Sequence, residues 1–111
     1  MRLTVKLGGS ILEDAAIRNS ILTQIADIRR QGHEIILVHG GGKSLSRRLN
    51  QLGLESRFVG GLRVTDAETL RVAVMVLAGE VNKTLVAEMA GLGVIHLWAK
   101  RVGRVRLSVV G

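Results

Sequence analysis

The stretch Ile35 to Lys43 constrains this chain more than any other. Four apolar residues, Ile35 to Val38, have the length and character of a buried strand. His39 and three glycines follow, and helical spacing begins directly after them. Glycines let backbone N–H groups approach an anion without Cβ interference, and a helix N-terminus adds partial positive charge. The stretch therefore reads as a phosphate cradle. A tight strand–helix turn uses the same residues and stays open on this stretch alone. Two familiar nucleotide motifs are excluded. A Walker A loop needs a glycine separated by four residues from Gly42-Lys43-Ser44, and Leu37 stands there. The dinucleotide fingerprint needs a third glycine where this chain has Leu45.

A similar unit comes earlier. Arg2 to Leu7 alternates, with Leu3, Val5 and Leu7 on one face, and predicts the first strand. Lys6 lies on the other face, just before Gly8-Gly9. Ser10-Ile-Leu-Glu13 fits a capping box and predicts a helix over about 14–30. Its stripe is Ile17, Ile21, Ile25 and Ile28, and Gly32 ends it. A second helix is expected from about Lys43 to Gln51, with Leu45, Leu49 and Leu52 inward and Arg47 and Arg48 outward. Strand, helix, strand, helix implies a parallel sheet with right-handed crossovers. Ligands of such sheets bind beyond the carboxyl ends of the strands. Both glycine loops are expected at that edge, on adjacent strands. A lysine beside them can offset charge on a transferring phosphoryl group. The plainer reading of Lys6 is a solvated strand lysine.

Phe58 to Val64 predicts a hairpin turning at Gly60-Gly61. Arg63 follows that turn, placed either to hold a carboxylate or to form a surface ion pair. Thr65-Asp-Ala-Glu68 is a second capping box, opening a helix over about 66–90. At 1.5 Å per residue that helix is ~37 Å long. Val72 to Val81 is apolar nearly all round, so burial on more than one side is expected. Either a subunit interface or further chain would cover the surplus face. His39 reads as a satisfied strand-end histidine rather than a catalyst, and Asn82-Lys83 as solvated. Gly91 and Gly93 stop the helix, and Val94–Ala99 and Val102–Val110 are strand-like.

Composition narrows the function classes. A chain of 111 residues is one domain or part of a larger one. It has no cysteine, and its three histidines lack metal-ligand spacing, so no metal site is expected. No signal peptide is read at the N-terminus, and the longest apolar run, Val72 to Gly79, is far short of a membrane span. The expected location is the cytoplasm, with no membrane partner. The net charge of +7 is unevenly spread. Lys100, Arg101, Arg104 and Arg106 fall in a tail, 94–111, that has no acidic residue. Phe58 and Trp98 are the only aromatics. A charge surplus concentrated in a tail, without aromatics for base stacking, argues against a nucleic-acid partner.

Four motifs occur in order: Val5-Lys-Leu-Gly-Gly9, Val38-His-Gly-Gly-Gly42, Gly61-Leu-Arg-Val-Thr-Asp66, and Met75-Val-Leu-Ala-Gly79 with Val81-Asn-Lys83. Together they resemble the amino acid kinase family, and within it the acetylglutamate kinase branch, over about residues 1–93. The resemblance implies a three-layer α/β/α sandwich with a mainly parallel sheet, here an incomplete N-terminal half. It implies phosphoryl transfer from ATP, with Mg2+, to the side-chain carboxylate of N-acetyl-L-glutamate, a step of arginine biosynthesis. Lys6 would stabilise the transferring phosphoryl group. Gly8, Gly9, Gly41 and Gly42 would supply backbone N–H groups, and Arg63 would hold the substrate's α-carboxylate. The 66–90 helix would form a homodimer contact.

The chain departs from the family's pattern from about Val94. A glycine-rich passage is expected there, and Ile95-His-Leu-Trp-Ala-Lys-Arg-Val-Gly103 does not match it. Residues 94–111 are therefore read as a divergent basic tail, of the kind a shifted reading frame or truncated gene produces. Family members are longer, and the nucleotide-gripping half, a second lysine, an organising Asp and substrate-gripping Asn residues are absent from this sequence. Little or no kinase activity is expected of the chain alone. Two other readings remain at this stage: a kinase of another acidic amino acid, and a non-catalytic dimerising or anion-binding module.

Overall fold

The computed structural model describes residues 1–94 and the backbone of 106–109. In chain order the elements are β1 (Arg2–Leu7), α1 (Ser10–Glu13), α2 (Ala15–Arg30), β2 (Glu34–His39) and α3 (Gly42–Gln51). A hairpin of β3 (Phe58–Val59) and β4 (Leu62–Arg63) follows, then one continuous helical run. That run is α4 (Ala67–Ala73), a π-helical segment (Val74–Val81) and α5 (Asn82–Gly91); β5 (Arg106–Val109) is the last element.

The sheet has the order β1-β2-β5 and is parallel throughout. Leu7 sits opposite His39 and Lys6 opposite Val38, so β1 and β2 end level with each other. Both crossovers step the same way across the sheet, and right-handed crossovers then place α2 and the later helices on one face. Burial agrees. Leu7, Ile35, Leu37 and His39 point into the core, whereas Thr4 and Lys6 on the other face are exposed. The described residues thus supply a mixed α/β unit, a parallel sheet with one helical layer against it. Leu7, Leu22, Ile25, Leu45, Leu49, Val76 and Leu85 form a single core. A half-buried ion pair, Arg18 with Glu88, fastens α2 to α5 at 2.7 Å, and Arg18 also donates to the Leu12 carbonyl at 2.6 Å. The hairpin turns at Gly60-Gly61 as expected, with Phe58 paired to Arg63.

Several helix expectations need correction. Ser10 does not cap the first long helix. It opens the single turn α1, and Asp14 caps α2 by accepting from the backbone N–H groups of Ala16 and Ile17. The second cap is also displaced, by one residue: Asp66, not Thr65, accepts from the Thr69 N–H at 2.8 Å. In both cases a carboxylate at the helix start, a strong acceptor, takes the role from a hydroxyl. Ile17 (48% exposed) and Leu52 (55%) face outward, because the buried stripe of α2 is centred on Leu22, Ile25 and Ala26 and α3 ends at Gln51. The 66–90 helix is not uniform α-helix but widens to π-helical geometry across 74–81. Of the expected strand over 94–99 only Val94 is described, and it is buried; that over 102–110 is described only as β5, which pairs with β2.

Candidate functional site

The level ends of β1 and β2 bring the two glycine loops side by side. The Gly40 N–H donates to the Leu7 carbonyl at 3.0 Å, so the second loop starts against the end of β1. Gly9 (φ 50°) precedes α1, and Gly41 (φ 151°) precedes α3. Each loop therefore delivers the chain into a helix N-terminus at the carboxyl edge of the sheet. The Gly41 carbonyl accepts the first bond of α3, from the Leu45 N–H at 2.9 Å. The Gly41 and Gly42 N–H groups have no hydrogen-bond partner among the described residues.

Gly41 must be glycine for two reasons. Its backbone lies where an L side chain is strained, and a Cβ there would meet Leu77 Cδ2 at 2.7 Å and Val81 Cγ2 at 3.2 Å. The loop thus rests directly on the π-helical segment, a type of distortion concentrated at functional sites.

Arg63 is brought to the same loop. One guanidinium nitrogen, Nη2, donates to the Gly42 carbonyl at 3.2 Å and to Ser46 Oγ at 2.9 Å, and Nη1 donates to Ser56 Oγ at 3.0 Å. The guanidinium also lies over the Phe58 ring, 4.7 Å from its centroid. Three of its five N–H donors are engaged, which leaves Nε–H and one Nη1–H. No carboxylate among the described residues pairs with it, so the surface-ion-pair reading of Arg63 does not hold.

Lys6 is exposed, two residues before Gly8 and on the sheet face opposite the helices. It has no ion-pair or hydrogen-bond partner among the described residues. The structure thus brings Gly41, Gly42 and Arg63 into contact and sets Gly8 and Gly9 beside them. Lys6 shares their edge of the sheet without touching them.

Two further features were not foreseen from the sequence. Glu13, at the end of α1, accepts from Ser44 Oγ at 3.0 Å and from Arg47 Nη2, both on α3. It ties together the helices that follow the two glycine loops. The Arg47 hydrogen bond holds the Glu13 carboxyl below its usual range, against an opposing push from burial. The second feature is a buried pair at the loop base. His39, fully buried, has Nδ1 2.8 Å from the Gly40 carbonyl and Nε2 3.1 Å from Asn82 Nδ2. The satisfied-histidine reading is correct. Asn82, read as solvated, is instead 6% exposed and supplies the second hydrogen bond. The polar residue closing a long apolar run was the signal, paired with a strand-end histidine that needed a partner.

Among the described residues no three His, Asp or Glu side chains cluster as metal ligands.

Known proteins resemble this chain strongly over its first nine-tenths. An acetylglutamate kinase of Solibacter usitatus is 52% identical over 95 residues, covering 86% of this chain and 37% of that protein. One from Acidobacterium capsulatum is 53% identical over 93 residues, covering 84% and 36%. The chain therefore spans about a third of the length of the curated relatives it matches. Among solved structures, a Streptococcus mutans protein superposes with a TM-score of 0.74 at 24% identity, covering 83% of this chain and 37% of its own. An N-acetylglutamate synthase of Neisseria gonorrhoeae, solved with coenzyme A and N-acetyl-glutamate, gives 0.66 at 26% identity, covering 82% and 21%. A sequence model of the amino acid kinase family matches residues 1–98, and the chain belongs to that family.

Proposed function

We propose that this chain carries the acyl-amino-acid and phosphoryl-transfer part of an acetylglutamate kinase. The observation that carries the reading is the pair of level glycine loops, with Gly41 and Gly42 amides that have no partner among the described residues and Arg63 fastened to the same loop. The names of the relatives favour N-acetyl-L-glutamate over other acidic amino acids.

In this reading a side-chain carboxylate oxygen of N-acetyl-L-glutamate attacks the γ-phosphorus of ATP. The bond from that phosphorus to the β–γ bridging oxygen breaks, its electron pair leaves with ADP, and an acyl phosphate remains. Such a transfer needs positioning and charge stabilisation rather than covalent help. Gly8, Gly9, Gly41 and Gly42 present N–H groups to the substrate and transferring group. Lys6 contributes the ammonium charge, and no partner among the described residues engages it. Arg63 meets the α-carboxylate through Nε–H and the unused Nη1–H. Mg2+ arrives with the nucleotide. The family match ends at residue 98, and from the stretch beyond it β5 adds a strand to the sheet beside β2. The helical run 67–91 forms a homodimer contact through Leu70, Val74 and Met75, which are exposed on it. The reaction belongs in the cytoplasm. No helix among the described residues is long and apolar enough to cross a membrane.

Calorimetric titration of the 111-residue chain tests the substrate assignment. Saturable binding of N-acetyl-L-glutamate is expected, with N-acetyl-L-glutamine, which lacks the side-chain charge, binding at least about tenfold more weakly. Equal binding of both, or preference for another acidic amino acid, would overturn it. With ATP and hydroxylamine as the acyl phosphate trap, this chain alone is expected to give only background product.

A further inference from the structure

We propose that His39 and Asn82 are positioning residues that aim the Gly41 N–H at the bound anion. The inference rests on the reading of the glycine loop as the anion site and adds the device that orients it.

The Gly40 carbonyl can only accept, so the proton in the bond to His39 sits on Nδ1. A neutral imidazole then has a bare Nε2, which must accept, and the Asn82 side-chain amide donates to it. Asn82 Oδ1 in turn accepts from Lys83 Nζ at 3.3 Å, which fixes which way the amide faces. The chain of bonds Lys83–Asn82–His39–Gly40 therefore has one consistent direction.

Its last link sets the geometry of a peptide plane. Gly40 is held at both ends: its N–H by the Leu7 carbonyl, its C=O by His39. The Gly40–Gly41 peptide is trans, so its C=O and N–H point in opposite directions. With the carbonyl drawn to the buried imidazole, the Gly41 N–H is turned away from the core. That N–H is one of the two amides with no partner among the described residues. Glycine backbone is otherwise the least constrained in the chain, and an unfixed peptide can flip and turn its carbonyl toward an anion. A preset donor avoids that reorganisation when the ligand arrives. Asn82 opens α5, and Leu77 and Val81 just before it contact the Gly41 position. The loop is therefore held by the helical run both through packing and through a hydrogen bond.

Two substitutions separate positioning from packing. The amide nitrogen of Asn can occupy the place of imidazole Nδ1, and the carbonyl oxygen of Gln the place of Nε2. His39→Asn keeps the donor to Gly40, and His39→Gln keeps only the acceptor for Asn82. Binding of N-acetyl-L-glutamate to the 111-residue chain is expected to weaken about tenfold in His39→Gln, the worth of one hydrogen bond, and no more than about threefold in His39→Asn. A purely structural role would make the losses follow the variants' stabilities instead. The wild-type tautomer is read by 15N NMR without any variant, and a protonated Nδ1 with a bare Nε2 is expected. A proton on Nε2, or wild-type affinity in His39→Gln, would overturn the proposal while leaving the anion site standing. Absence of wild-type binding would overturn the anion site itself, and the positioning role with it.

Discussion

Replacing Gly41 by alanine tests the loop geometry at its tightest point. Two costs are expected. The backbone there, at φ 151°, strains any L residue by about 1–3 kcal/mol. The new methyl would stand 2.7 Å from Leu77 Cδ2 and 3.2 Å from Val81 Cγ2. Leu77 can turn aside, but Val81 is β-branched and stiff, so overpacking adds about 1–3 kcal/mol. The sum, about 2–6 kcal/mol, is a large part of the 5–15 kcal/mol typical of a folded domain. Gly40→Ala is the control. Its Cβ would meet no atom within 4 Å and its φ is not positive, so a loss under about 1 kcal/mol is expected. Urea unfolding followed by circular dichroism measures both. Adding Val81→Ala to Gly41→Ala should recover about 1–2 kcal/mol relative to the sum of the single losses, and not more, because the backbone strain remains. A Gly41→Ala loss below about 0.5 kcal/mol, or one matched by Gly40→Ala, would refute the close packing of loop on helix.

Asp14→Ala is expected to cost about 1 kcal/mol as the true cap of α2, and Ser10→Ala clearly less, as compared by thermal unfolding. Glu13 gives a pH signature. A carboxyl held low by Arg47 in the folded state contributes stability above its unfolded pKa of about 4.3 and loses it as pH falls through the lower folded value. Stability should therefore fall on acidification below about pH 5, and Glu13→Gln should make that fall shallower; an unchanged profile would mean that the clamp between α1 and α3 carries no weight. If the proposed homodimer forms through the exposed face of the helical run, Met75→Glu should shift it toward monomer in sedimentation; a wild-type chain that sediments as monomer, or an unchanged distribution, would remove that face as the contact.

The frame of the molecule was legible because its signals are local. Alternation marked Leu3, Val5 and Leu7, and consecutive glycines marked where both strands stop. The cap residues differ from expectation because a hydroxyl residue and an Asp stand close together at each helix start, Ser10 with Asp14 and Thr65 with Asp66, and spacing alone does not say which oxygen reaches the free N–H groups. The π-helical widening left no periodic trace, since the residues around it are apolar on every side. Asn82 was missed for a different reason. Its partner lies 43 residues away in sequence, and only the crossover that seats α5 behind β2 brings it to His39. The grouping of Gly41, Gly42 and Arg63 could be expected from the order of the motifs. The serines that hold Arg63, Ser46 and Ser56, could not, because lone serines on helices and loops carry no distinguishing pattern.

Amide mapping on the 15N-labelled chain addresses the central claim directly. On titration with N-acetyl-L-glutamate, the largest shifts are expected at the Gly8, Gly9, Gly41 and Gly42 amides and at Arg63 Nε, all saturating at one concentration. Shifts confined to other surfaces, or none at these five groups when the ligand binds, would contradict the account of the paired glycine loops as the substrate site.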